Sequence, residues 1–239
     1  MRPTLRTLSD GSVNRPGAIE VVRQRLYDHL LYVAAGQTTL NFFQQPIGQG
    51  VTTALGAAVG AAKTRADTNL ELAGQLPAFK NFVIESIELT ILPGTSAAAN
   101  TFIPANPFTT IADPTVAAGL LNQGPANDIT TFYRSGWLVL FIGSKEFLVE
   151  APFGAFPPKT RTNTEGAASY GGTITAGQQV SFRNASRNGR PYFVQPEITL
   201  PSGQNFVVQL NWPGVVALPS GFNARIGVIM DGFTFRNSQ

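Results

Sequence analysis

His29 is the only histidine in the chain, and cysteine is absent. Nucleophilic catalysis of the Ser-His-Asp kind would have to run through His29, which stands far from any Gly-x-Ser-x-Gly elbow. Zinc sites built on cysteine or paired histidine are excluded, and so is any cysteine nucleophile. Two carboxylate pairs have spacings that could serve acid/base chemistry. Glu146 and Glu150 are four apart on one predicted strand, hence on one face, and Glu85 and Glu88 are close in sequence. Two carboxylates at a suitable separation can hydrolyse a glycosidic bond. Solvated strand faces are the plainer reading of both pairs. The stretch from Gly56 to Thr64 holds the residue types of a phosphate loop, but two alanines part Gly60 from Lys63. Such a loop needs glycine, lysine and threonine in contact, so it is rejected. No catalytic residue, metal ligand, cofactor or small-molecule substrate is expected, and the chain reads as a non-enzyme.

One charge cluster stands out. Lys159, Arg161, Arg183, Arg187 and Arg190 face only Glu165 across residues 159–190. Phosphate backbones reward such a patch through counterion release. The same residues could equally pair with carboxylates of a neighbouring subunit, or lie on a solvated loop.

The elements that would position these groups are mostly strands. Residues 1–16 read as an arm, with Arg2, Arg6 and Arg15 against Asp10 alone. No apolar core follows Met1, so no signal peptide is expected. Over 17–35, Ile19, Val22, Leu26, Leu30 and Val33 recur at steps of three and four, which predicts an amphipathic helix with an apolar face available for assembly. Thr38 to Phe43 resembles a short strand, inside a Gly/Ala/Thr-rich segment over 37–77. From residue 78 the pattern is β. Phe79 to Leu92 is a long run in which Val83, Ile87, Leu89 and Ile91 share one parity, with Glu85 the exception, and Phe82 and Ile84 lie on the other. The mixed phase predicts a long strand with either a bulge or buried patches on both faces. Residues 93–127 and 152–177 read as long loops. Trp137–Ile142 and Glu146–Val149 form a hairpin across Gly143 and Ser144. Gln178–Arg183 and Tyr192–Leu200 read as strands, the latter edge or bulged because of Pro196. Gln204–Trp212 alternates cleanly, and Phe222–Arg236 closes the chain with a phase change at Asp231-Gly232 that predicts a bulge at Gly232.

About eight strands after residue 78, with no βαβ rhythm, predict an all-β antiparallel sandwich or jelly roll. Three regions follow: an arm and helix over 1–36, an extended segment over 37–77, and the β-domain over 78–239. Deleting residues 1–36 would then leave the β-domain folded.

Composition adds a constraint on the surface. The 239 residues carry 17 basic and 14 acidic side chains, 13% charged, with 24 glycines and 17 prolines. Typical soluble domains are roughly 25% charged. Charge keeps free monomers apart, so a surface this poor in charge suggests extensive cover by other subunits. The run from Gln37 to Ala62 has no charged residue, yet its amides and Pro46 argue against a membrane span.

An arm and helix, long strands opening and closing a β-rich body, long Gly/Pro/Ala/Thr loops and scarce charge together resemble the jelly-roll capsid proteins of tailless icosahedral viruses, bacteriophages included. The resemblance covers the architecture of roughly residues 17–239 and rests on no signature motif. It implies a structural virion protein, a coat subunit self-assembling into an icosahedral shell. Its partners would be copies of itself and other virion proteins. The arm or the basic loop would face the packaged genome, an internal membrane or neighbouring subunits. The protein would be made in the host cytoplasm and reside in the virion. The alternatives are another virion or appendage subunit (spike, tail or fibre) and a carbohydrate-binding β-sandwich.

Overall fold

The computed structural model describes residues 19–52, 58–95, 124–167, 181–219, 221 and 223–237. The expected arm over 1–16 and most of the loop expected over 93–127 lie outside these residues. In chain order the elements are β1 (Ile19–Tyr32), β2 (Thr39–Phe42), β3 (Gly50–Thr52), β4 (Ala58–Ala62), β5 (Lys80–Thr95), α1 (Gly124–Ser135), β6 (Trp137–Ile142), β7 (Lys145–Glu150), β8 (Thr160–Ala167), β9 (Ser181–Asn188), β10 (Tyr192–Leu200), β11 (Phe206–Asn211) and β12 (Asn223–Asn237). They build two antiparallel four-stranded sheets, ordered β1-β12-β5-β10 and β2-β11-β6-β7. The pairs β3-β4 and β8-β9 form separate two-stranded ribbons. The chain is thus all-β and sandwich-like, with one α-helix among the described residues.

The two sheets share one core. Leu26, Leu30, Ile87, Leu89, Val228 and Met230 enter it from the first sheet. Leu40, Leu138, Leu140, Val208 and Leu210 enter from the second. On β11 the alternation read from sequence is the alternation observed: Phe206, Val208 and Leu210 are buried, with Val207, Gln209 and Asn211 between them on the other face. Trp212 closes one end of the core, its ring 5.0 Å from Tyr32 and 5.2 Å from Phe153. Its indole N–H donates to Ser135 Oγ at 3.1 Å, so this tryptophan is a core residue.

The predicted parity switch in β5 is a bulge. Asp231 pairs with Ser86 and Gly232 with Ile84, which leaves Glu85 as the extra residue. The extra residue therefore sits on β5, opposite the Asp231–Gly232 step, and not at Gly232 itself, where the phase change in the last strand had predicted it. Phe82 and Ile84 reach the core on one parity, Ile87 and Leu89 on the other. Gly232 is required here, because a Cβ would overlap the Val83 carbonyl. β10 is an edge strand, and its register slips between Phe193 and Ile198 around Pro196. Proline is tolerated there because no neighbour needs its missing N–H.

Three expectations are corrected. Residues 19–32 form a strand, not a helix: β1 pairs with β12 from Ile19 opposite Asn237 to Tyr32 opposite Ala224. A four-residue spacing is even, so Leu26 and Leu30 share a face of a strand as readily as of a helix. Asp28 and Tyr32, on the same parity, are buried with them. Val22 is exposed, Val33 lies half-buried beyond the strand, and no assembly helix face exists. The helix lies instead at Gly124–Ser135, inside a stretch read partly as loop. Finally, β5 runs past Pro93 and Gly94 to Thr95, and β8 occupies part of the predicted 152–177 loop.

The boundary drawn at residue 36 therefore cuts through the sandwich. β1 places Leu26, Leu30, Leu31 and Tyr32 in buried positions. Each such side chain contributes about 1.5–3 kcal/mol, against a total stability of about 5–15 kcal/mol. Removing residues 1–18 should leave cooperative unfolding and β-type circular dichroism intact, whereas removing residues 1–36 should abolish both. A cooperatively folded 37–239 fragment would contradict this role for β1.

Candidate functional site

The densest polar cluster lies where β1 meets the segment that follows β4. Asp28 projects among core residues of β1 and is fully buried, as is Lys63. Lys63 Nζ lies 2.5 Å from Asp28 Oδ1, and the Phe43 N–H donates to Oδ2 at 2.7 Å. Burial pushes the Asp28 carboxyl above its ordinary value, against the opposing pull of the Lys63 charge. Next to it, Asp67 Oδ2 accepts from the Thr64 N–H and hydroxyl, each at 2.9 Å. Asp67 Oδ1 meets Arg225 Nη2 of β12 at 3.1 Å. The same guanidinium nitrogen donates to the Ala66 carbonyl at 2.6 Å. His29 Nδ1 donates to the Asp67 carbonyl at 2.9 Å. Burial first, then the neighbouring Arg225 charge, lowers the His29 pKa to about 4. The neutral imidazole is thus fixed between β1 and residues 63–70.

Among the described residues the groups of this network bond chiefly to one another and to the backbone. The two ionised groups at its centre are sealed, and His29 spends its Nδ1 proton on a backbone carbonyl. Its effect is to strap residues 63–70 along the edge of β1. Asn69 completes the strap. Its side-chain oxygen accepts the Tyr27 N–H at 3.0 Å and its Nδ2 donates to the Arg25 carbonyl at 2.7 Å. Asn69 thereby stands in for a neighbouring strand at that point of the edge.

A second ionic group covers the outward face of the first sheet. Arg23 Nη2 lies 3.4 Å from Asp231 and 3.7 Å from Glu85, and Arg25 lies 4.0 Å from Glu88. Lys159 pairs with Asp231, and its backbone N–H donates to Glu88 at 2.5 Å. Arg23, Gln24, Arg25, Lys159 and Asp231 line an open cleft of about 350 Å³. Glu85 and Glu88 are therefore tied to cations. Glu146 and Glu150 are not on one face. A bulge between Leu140 and Phe141 places Glu146 opposite the outward Phe141 and Glu150 opposite the buried Leu138.

The basic cluster predicted from sequence is split. Lys159 belongs to the ionic group on the first sheet, and Arg190 is exposed before β10. Arg161 stands opposite Arg187 in the β8-β9 ribbon, and Arg183 stands opposite Glu165. Lys63, once considered for a phosphate loop, is consumed by Asp28.

The outward face of the second sheet is of a different kind. Across β2, β11 and β6 its positions are Thr39, Asn41, Val207, Gln209, Asn211, Trp137, Val139 and Phe141, with no charge among them. Gln209 donates to Asn41 at 2.9 Å, and Asn211 donates to Gln209 at 3.1 Å. Thr39 donates to Asn211 at 3.1 Å. Beyond it, β7 exposes Phe147 and Val149.

Sequence reasoning missed Asp28, Lys63, Asp67 and Arg225 as one group. The available signal was an aspartate at an apolar parity of β1. Among the described residues there is no cluster of three or more potential metal ligands, and no helix long and apolar enough to cross a membrane. No protein family, curated protein or solved structure matches the chain.

Two measurements test the network. Asp28→Asn leaves a buried ammonium without its counter-charge and should cost about 3–5 kcal/mol in chemical denaturation. The double change Asp28→Leu with Lys63→Met should be milder than either single change, and an additive double variant would contradict a direct pair. His29 binds a proton less readily folded than unfolded, so its contribution is complete above pH 6.5 and declines as pH falls toward 4. The loss is at most about 3 kcal/mol. As the only imidazole, its proton NMR signal should titrate near 4 in the folded protein; a midpoint near 6.5 would refute the burial argument.

Proposed function

We propose that this chain is a structural subunit of an icosahedral virion shell, folded as a single eight-stranded jelly roll. The strand order carries the reading. Numbering the sandwich strands one to eight in chain order (β1, β2, β5, β6, β7, β10, β11, β12), the sheets run 1-8-3-6 and 2-7-4-5. Two Greek keys wound from one long antiparallel ribbon would produce these orders, which supports a jelly roll over other antiparallel sandwiches. That fold serves capsids, lectins and metal-binding enzymes alike, so the surface must separate them.

The surface favours assembly. Each carboxylate of the first sheet's ionic face is already engaged by a cation. Across β2, β11 and β6 the second sheet presents a face of amides and apolar side chains, with Glu146 of β7 at its border, and that part can be covered without desolvating ions. The β8-β9 ribbon, with Arg161, Arg183 and Arg187, and the arginines of residues 1–16 are the segments we assign to the genome, an internal membrane or neighbouring subunits.

Size-exclusion chromatography and negative-stain electron microscopy of the expressed chain should show closed particles of uniform diameter. A stable monomer or small oligomer at high concentration would overturn the reading and favour a carbohydrate-binding sandwich. Filaments or isolated trimers would replace it with an appendage subunit.

A further inference from the structure

We infer that Lys63 and Asp28 are the reactants of an intramolecular cross-link, an isopeptide bond from Lys63 Nζ to Asp28 Cγ that forms once the sandwich has closed. The inference concerns the core of a single chain and does not rest on the shell reading above. Both side chains are wholly buried, and Nζ lies 2.5 Å from Oδ1. Cγ, the atom to be attacked, is one bond beyond Oδ1. The other carboxylate oxygen, Oδ2, accepts the Phe43 N–H at 2.7 Å. The two oxygens thus have different partners, the amine on one and a fixed backbone amide on the other.

The surroundings hold the pair and keep water out. Asp28 stands opposite Val228 of β12 and is bridged on its other side to Thr68. The Lys63 N–H donates to the Gln49 carbonyl at 2.7 Å, and the Lys63 carbonyl accepts the Gly48 N–H at 2.9 Å. With both backbones pinned, amine and carboxyl meet at a high effective concentration. Leu26 and Leu30, the inward neighbours of Asp28 on β1, are buried, and so is Phe43. A dry site penalises the charged form of each group. Burial accordingly raises the Asp28 carboxyl above its ordinary value, which favours the neutral acid.

The step balances within the pair. One proton passes from Nζ to Oδ1, which leaves a neutral amine beside a neutral acid. The nitrogen lone pair attacks Cγ, and an electron pair of the Cγ–Oδ2 double bond moves onto Oδ2. There the Phe43 N–H stabilises the developing charge. A second proton passes from Nζ to Oδ1, the Cγ–Oδ1 bond breaks, and water leaves. The third proton stays on the new amide nitrogen, and Oδ2 becomes the amide carbonyl. The ion pair described above is the reactant state, and the product exchanges two buried charges for one neutral amide. It also closes a covalent loop from β1 across β2, β3 and β4. In a chain without cysteine, such a loop restricts the unfolded state as a disulfide would.

Mass spectrometry of the full chain under denaturing conditions is the test. The wild-type chain, purified folded, should weigh one water less than its sequence requires. Digestion should yield a branched peptide joining the segments that hold Asp28 and Lys63. Lys63→Arg, which keeps a cation but is a far weaker nucleophile, should show the full mass, as should Asp28→Ala. A wild-type chain at full mass after prolonged incubation in the folded form would overturn the inference. So would a water deficit that persists in Lys63→Arg, because the dehydration would then lie elsewhere. Should the variants fail to fold, presence or absence of the branched peptide in the wild-type chain decides alone. These readouts need only the folded chain, so a failure to form particles would sink the shell reading and leave this inference standing.

Discussion

The seam that β12 makes with both of its neighbours is the constraint on which the rest of the structure depends. The last strand pairs along its length with the first, from Ala224 opposite Tyr32 to Asn237 opposite Ile19. On its other side it pairs with β5, from Asn223 opposite Thr95 to Arg236 opposite Lys80. The first sheet therefore cannot close until the chain is nearly complete, and its pairings span very long loops. Such pairings demand loop-closure entropy before they return any stabilisation, which makes them late events in folding. β10 completes this sheet by docking on β5. The Glu85 bulge adjusts the seam locally. It lets β5 present Ile84 and Ile87 to one core despite their opposite parities, and it leaves Glu85 within reach of Arg23.

The scarcity of charge has a spatial form that composition alone does not reveal. Ionic groups gather on the outward face of the first sheet and at the strap, where nearly every carboxylate meets a cation. The outward face of the second sheet satisfies its polar groups with a ladder of neutral amides and a hydroxyl. The two faces differ in what it costs to cover them. Removing ions from water is expensive unless every charge is paired, whereas neutral groups with satisfied hydrogen bonds can be buried far more cheaply. A charge-poor sequence folded as a sandwich can therefore keep one face wet and leave the other ready for cover.

Strands with a single clean period were legible from sequence. β11 and β6 were placed within two residues, and Pro196 marked β10 as an edge. The bulge was legible only in part: the parity shifts in both long strands, but the shift does not say which strand holds the extra residue, and the sequence pointed to Gly232 where the structure has Glu85. β1 was not legible, since Val22, Leu26 and Leu30 recur at a spacing that both periods accept. What decided it was a partner strand at the far end of the chain. α1 was hidden by its composition: Ile129, Phe132 and Tyr133 give it one short apolar stripe amid residues typical of loops. The buried network was invisible for a different reason. Asp28, Lys63, Asp67 and Arg225 are scattered along the sequence, and each alone reads as an ordinary solvated charge.

That network links stability to the geometry of the β1 edge. A buried ion pair such as Asp28 with Lys63 is a poor source of stability, because two well-packed apolar side chains could often replace it without loss. Its consequence here is positional. Lys63 is tied to the middle of β1, and Arg225 with His29 tie Asp67 to the same sheet. Between and beyond these anchors lie Arg65, which adds charge to the edge, and Asn69, which seals part of it. An apolar pair in place of Asp28 and Lys63 could hold the sheets together, but it would not hold the strap in one register. Directional bonds to charged groups fix position in a way that non-directional burial cannot. The ionic core at β1 therefore determines where its edge is closed and where it stays open.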